Sequence, residues 1–177
     1  MERLKYIEPE DANALTRKLF RQIGMVPNLY AQMANSTMVF ECFVRMTGTL
    51  DAANLDKKLR EMVYLRTSEI NGCEYCLGSH TTTATESGLM TMEETLDARR
   101  GKSADPKIDA LLHFASEVVL NRGDVSDETL EAVREQGFGD EDIVDCLGTV
   151  ALATLTNYIA KVGRPDMDYL DADPLEG

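Results

Sequence analysis

EMVYLRTSEINGCEYCLGSH, residues 61 to 80, is the stretch on which the reading of this chain turns. It holds Cys73 and Cys76, two of the four cysteines, and His80, one of the two histidines. Leading into it, Leu55, Leu59, Met62, Val63 and Leu65 recur at spacings of three and four, which predicts an amphipathic helix over Asn54 to Ile70. Asn71-Gly72 punctuates the pattern, and a second helix starts near Cys73. On that helix Cys73, Cys76 and His80 stand at i, i+3 and i+7, within a narrow arc of one face, so their side chains can meet.

So short a hinge favours an antiparallel helical hairpin, in which residues equally far from the turn come level. Glu61 lies ten residues before Asn71 and His80 nine after it, so a carboxylate faces an imidazole, with two thiols nearer the start of the second helix. The unpaired N–H groups and the positive end of the helix dipole favour thiolate there, and an imidazole beside it can take the proton. This is a way to make a nucleophilic sulfur at neutral pH. Spacing leaves open which sulfur attacks, because Cys73 is the nearer to the helix end.

Outside the hairpin the chain also reads as helices. An arm ends at Pro9, Glu10-Asp11 open a helix with the stripe Ala14, Leu15, Leu19, Phe20 and Ile23, and Gly24 stops it. Asn28 caps a short helix to about Asn35, and Ser36 caps the next. There Cys42, among Phe40, Phe43 and Val44, is expected to be a small buried hydrophobe rather than a third redox thiol. Gly88 closes the second helix of the hairpin, Thr91 and Glu94 form a capping box, and Ser126 to Gln136 is a short helix closed by Gly137. His113, on an amphipathic helix from Lys107 to Asn121, reads as a partly solvated structural histidine in preference to a general base. Asp140 caps a last long helix, Glu141 to about Val162, apolar almost all round; it must be covered on most sides, centrally or in a subunit interface, and its Cys146 reads as core. After Arg164-Pro165 comes an acidic tail, DMDYLDADPLEG, loose or strapped on a neighbour.

Composition narrows the classes. With 177 residues, 44% hydrophobic and no tryptophan, the chain is long enough for one domain with a sizeable core, and its balance suits helix packing better than a β-sandwich. A net charge of −13 repels a phosphate backbone, which argues against nucleic acid as a partner. The N-terminus lacks the apolar core of a signal peptide, and the longest apolar run, Ile143 to Ile159, is broken by Asp145, Gly148, three threonines and Asn157. The expectation is a cytoplasmic protein with no membrane partner. Four cysteines in a reducing compartment then argue for redox or metal chemistry over a disulfide scaffold.

A glutamate twelve residues before CxxC, with a histidine four after the second cysteine, resembles the alkylhydroperoxidase D-like core of the carboxymuconolactone decarboxylase superfamily. Glu61, Cys73, Cys76 and His80 carry that likeness. GMVPNLY at 24 to 30, ATESGL at 84 to 89, VSDETLEAVREQGF at 125 to 138 and LTNYIAKVGRPD at 155 to 166 resemble its peroxidase-related branch. The resemblance implies an all-α fold, a single-domain helical bundle whose central hairpin carries CxxC: residues 1–19 are an arm and the start of the first helix, 20–168 the domain, 169–177 an acidic tail. It implies homo-oligomers, trimers or hexamers.

The same resemblance implies a CxxC dithiol/disulfide oxidoreductase with alkyl hydroperoxide reductase activity and no cofactor or metal. Its substrate is a hydroperoxide, and its partner a peroxiredoxin or other thiol electron donor or acceptor. Cys76 is then the attacking thiolate, Cys73 the resolving thiol, His80 the proton acceptor, and Glu61 the group that orients or recharges His80. Some members have a histidine just before the second cysteine; Tyr75 stands there, so a relay through that imidazole is closed to this chain. Three alternatives remain. Two thiolates, an imidazole and a carboxylate are a plausible zinc set, although Cys42 and Cys146 lack the pairing that completes a structural site. Lactone decarboxylation needs cations for substrate carboxylates, and only Arg60 and Arg66 lie near the motif. The third is a catalytically silent helical oligomer.

Overall fold

Short polar side chains that take over orphan N–H groups set most helix starts in this protein. Asn13 accepts from Thr16 N, Ser36 from Val39 N, Asp56 from Lys58 N, Thr91 from Glu94 N, Asp105 from Lys107 N and Ser126 from Thr129 N. The computed structural model describes residues 2–172, 174 and 175. Among the described residues there are nine helices and no strand: α1 Ala14–Ile23, α2 Asn28–Met33, α3 Thr37–Leu50, α4 Lys57–Asn71, α5 Glu74–Glu86, α6 Met92–Arg100, α7 Pro106–Leu120, α8 Asp127–Glu135 and α9 Asp140–Gly163.

Two starts fall later than the apolar pattern suggests. Glu8 O accepts from Asp11 N and Ala12 N in a separate turn, so α1 begins at Ala14 rather than at Glu10. Asp56 caps α4, so that helix begins at Lys57 rather than Asn54. The hinge is where Asn71-Gly72 places it. Gly72 takes φ 62° and its N–H bonds Glu69 O, a left-handed turn that costs a residue with a Cβ about 1 kcal/mol or more.

α4 is the hub, packing on α5, α6, α7 and α9. One core cluster joins it to α7, α8 and α9 through Val63, Leu111, Phe114, Val133 and Cys146. A second gathers α1, α2, α3 and α9 around Phe20, Met33, Phe40, Phe43 and Leu152. The join between α9 and the hinge is polar: fully buried Asn157 donates to Ser68 Oγ at 3.0 Å and accepts from Asn71 Nδ2 at 2.9 Å. Asn157→Ala strands both partners and is expected to cost about 2 kcal/mol of unfolding free energy, measured by urea denaturation.

α9 has two apolar faces. Cys146, Val150, Ala153 and Ala160 turn into the fold, while Val144, Leu147, Leu155, Tyr158 and Val162 form an exposed stripe. By length and composition α9 could cross a membrane, but half of its apolar window is buried inside the fold. The expected burial of Cys42 is corrected. Phe40, Phe43 and Val44 fill the core face of α3, and Cys42, two positions on from Phe40, falls on the opposite side and is exposed.

Beyond α9 the chain doubles back as a strap. Asp168 accepts from Asn28 N at 2.7 Å and from Asn28 Nδ2 at 2.6 Å, and Leu170 N donates to Thr82 Oγ1 at 3.2 Å. A Cβ at Gly78 would lie 2.5 Å from Leu170 O, so only glycine lets the strap cross α5 this closely. Of the two readings of the tail, this part is strapped, onto its own chain. Asp173, Glu176 and Gly177 of the tail, and Met1 of the arm, lie outside the described residues.

Candidate active site

Cys73 is the residue that precedes the first turn of α5, and Cys76 lies one turn in. The two are joined as a disulfide with Cα atoms 5.4 Å apart, and both are almost fully buried. Across the hairpin, His80 Nδ1 meets Glu61 Oε2 at 2.7 Å. Counting outward from Asn71 leads to this pairing. Tyr64, one turn after Glu61, stacks on the imidazole with centroids 4.6 Å apart and planes 12° from parallel. The ring is thus fixed by a carboxylate at Nδ1 and by a phenol on its face, which leaves Nε2 as its remaining polar atom. Burial, reinforced by the Glu61 charge, pushes the Tyr64 phenol well above its usual range.

Cys76, His80 and Glu61 line one cavity of about 330 Å³. Its other walls combine aromatic and aliphatic side chains, Tyr30, Phe43, Tyr64, Tyr75 and Tyr169 with Leu29 and Leu152, with a charged edge of Asp51, Lys57 and Arg60. Thr47 also lines it, and its buried hydroxyl has no hydrogen-bond partner among the described residues. That hydroxyl offers a polar contact to an occupant. Of the four sequence-derived site residues, three therefore share the cavity, and Cys73 joins them through its bond to Cys76 rather than by lining it. His113 is exposed on α7 and does not line the cavity. Among the described residues no group of three or more His, Cys, Asp or Glu side chains is placed to hold a metal ion.

Tyr75, between the cysteines, has its own anchor. Its hydroxyl donates to Asp168 Oδ2 at 2.5 Å and accepts from Leu29 N at 3.3 Å, and its ring meets Tyr169 edge-on at 5.6 Å. Burial, then the bond to Asp168, holds this phenol neutral far above its usual range. Tyr64 was within reach of sequence reasoning, because it sits at i+3 from Glu61 on the same helix face. Tyr30, Thr47 and Tyr169 were not; α2, α3 and the strap bring them in from far along the chain.

Two titration consequences can be measured. Burial pushes the Cys146 thiol up to about 12, so it stays a thiol at neutral pH. On the oxidised protein iodoacetamide is expected to label exposed Cys42 and to spare Cys146 until the chain unfolds, as read by peptide mass spectrometry. Burial likewise raises Tyr30 from 10.0 to about 12. The folded protein then keeps a proton that the unfolded chain loses, so this stability is complete below pH 10.0 and falls as pH rises to about 12, by roughly 1.4 kcal/mol per pH unit. Tyr30→Phe is expected to flatten that alkaline limb in urea melts.

Comparisons with known proteins bear on the family and the fold. Residues 39–117, which span α4 and α5, match the carboxymuconolactone decarboxylase family. A crystal structure from Ralstonia eutropha JMP134, described as an alkylhydroperoxidase AhpD core and an uncharacterized peroxidase-related protein, is 25% identical with a TM-score of 0.82, covering 94% of this chain and 92% of that one. A peroxidase-related protein from Silicibacter sp. TM1040 shares the fold at 24% identity and a TM-score of 0.76, over 96% and 97% of the two chains. The debrominase Bmp8, solved with 2,3,4-tribromopyrrole, shares the fold at 16% identity and a TM-score of 0.77, over 93% and 91%. No curated protein matches the chain.

Proposed function

We propose, since this chain belongs to the carboxymuconolactone decarboxylase superfamily in its peroxidase-related, alkylhydroperoxidase D-like branch, that it is a dithiol peroxidase acting on organic hydroperoxides through Cys76 and Cys73. The observation that carries this reading is a bonded Cys76 on the wall of the same cavity as the Glu61–His80 pair. In the reduced state the Cys76 thiol gives its proton to His80 Nε2, and Glu61 stabilises the imidazolium through Nδ1–H. The thiolate attacks the outer oxygen of the hydroperoxide, the O–O bond breaks, and the leaving alkoxide takes the proton from His80. Cys76 is left as sulfenic acid. The Cys73 thiol attacks its sulfur, water leaves, and the disulfide forms: one hydroperoxide and two thiols yield one alcohol, one water and one disulfide.

The aromatic and aliphatic part of the wall suits an alkyl or aryl group on the peroxide better than hydrogen peroxide itself. Cumene hydroperoxide consumed with dithiothreitol as reductant is the direct test. Saturable turnover faster than with hydrogen peroxide supports the reading; no turnover above the protein-free rate overturns it.

A second copy of this chain covers the outer stripe of α9 in this reading. Met46 of α3 extends that stripe, its Cε lying 3.8 Å from where a Gly148 Cβ would stand. Light scattering should return a multiple of the 19.7 kDa chain mass.

A further inference from the structure

The two sulfurs of the pair open onto different spaces. Cys76 lines the cavity it shares with Glu61 and His80. Cys73 instead lines a separate groove of about 450 Å³, bounded by Gly72, Glu74, Tyr75, Lys161, Arg164 and the strap at Pro165 and Met167. Tyr75 borders both spaces and stands as the wall between them, held by Leu29 and Asp168.

The groove runs against the charge of the chain. Its lining has two cations, Lys161 and Arg164, against one carboxylate, Glu74, in a protein of net charge −13. Lys161 is held in place by its bond to Asn71 O at 2.5 Å, at the turn that delivers Cys73. Arg164 makes no ion pair among the described residues. Cys73 itself is 1% exposed, so whatever reaches its sulfur must be slender enough to enter the groove.

We propose that this groove receives the electron donor, and that the donor is a small thiol carrying carboxylates that attacks Cys73. The proposal rests on the dithiol reading above and adds a second entrance to it. A donor thiolate bonds to Cys73 Sγ, the Cys73–Cys76 bond breaks, and its electron pair leaves on Cys76. That sulfur is the better leaving group because it lies on the cavity wall with His80, whose imidazolium protonates it, while the donor's own proton goes to water in the groove and an equal proton from water restores the imidazolium. A second donor thiol then attacks the donor sulfur of the mixed disulfide, freeing Cys73 as a thiol and releasing the donor's symmetrical disulfide. Two electrons and two protons pass from two donor thiols to the two cysteines. Oxidant and reductant thus act on opposite ends of one bond from separate spaces.

The test starts from the full chain oxidised with diamide, so it does not depend on hydroperoxide turnover. Reduction is timed with mercaptosuccinate, which carries two carboxylates, and with neutral 2-mercaptoethanol, in the parent and in the double variant Lys161→Gln/Arg164→Gln. The mercaptosuccinate rate is expected to fall about fivefold in the variant and to fall with added salt in the parent. The 2-mercaptoethanol rate is expected to stay within about twofold, which also reports an intact fold. Quenching midway with iodoacetamide should place the mixed disulfide on Cys73 and the alkyl group on Cys76. A mixed disulfide on Cys76, or equal losses with both thiols, overturns the proposal. A chain that ignores hydroperoxides yet shows this charge dependence overturns the peroxidase reading and leaves the donor site standing.

Discussion

Cys76→Ser is expected to lower hydroperoxide turnover by about a thousandfold or more, to the level of the buffer reaction. A serine hydroxyl at this position is neither a thiolate at neutral pH nor a nucleophile that peroxide oxygen can oxidise, so no part of the two-electron step survives. Cys73→Ser differs in kind. It keeps the attacking sulfur and loses only the group that resolves the sulfenic acid, so in the absence of added thiol one turnover of alcohol should appear and then stop, with Cys76 trapped as sulfenic acid or carried on to sulfinic acid. If Cys73→Ser instead abolishes the first turnover and Cys76→Ser retains it, the roles of the two sulfurs are exchanged. Proximity of Cys73 to the helix end gives that order a physical basis, so the pair of variants is informative whichever way it falls.

His80→Ala is expected to cost about a hundredfold to ten-thousandfold in kcat, the usual range for a removed general base. Glu61→Gln should cost less, roughly tenfold to a hundredfold, because the amide still reaches Nδ1 at a site where the carboxylate now sits 2.7 Å away but no longer stabilises the imidazolium. A structural role for His80 would also lower activity, through lost stacking on Tyr64. Added imidazole separates the two. Rescue of His80→Ala turnover by imidazole marks a proton acceptor; an unrescued variant with a lowered urea midpoint marks a packing residue.

The hairpin was legible because its signals are local. Apolar residues at three and four, Asn-Gly as the break, and nearly equal counts on either side of it suffice to bring Glu61 to His80. What could not be read arrives over long chain separations. Thr47 and Tyr30 reach the cavity because α9 packs on α2 and α3 as well as on α4, and no periodicity in either helix announces it. Cys42 was misread for the opposite reason: its neighbours are apolar, but the phase of the helix rather than neighbouring composition decides which side a residue faces. The strap was half legible. Arg164-Pro165 marks the end of α9, yet the use of Asp168 to clamp Asn28 and Tyr75 requires partners some 140 and 93 residues away in sequence.

A thiol count after a single oxidation tests whether the Cys73–Cys76 pair reduces peroxides. Fully reduced protein, mixed with one equivalent of cumene hydroperoxide and then denatured and alkylated, should yield one equivalent of cumyl alcohol, alkylated Cys42 and Cys146, and one peptide with an internal Cys73–Cys76 disulfide. Recovery of all four cysteines as thiols, with the hydroperoxide unspent, would show that the pair does not reduce peroxides.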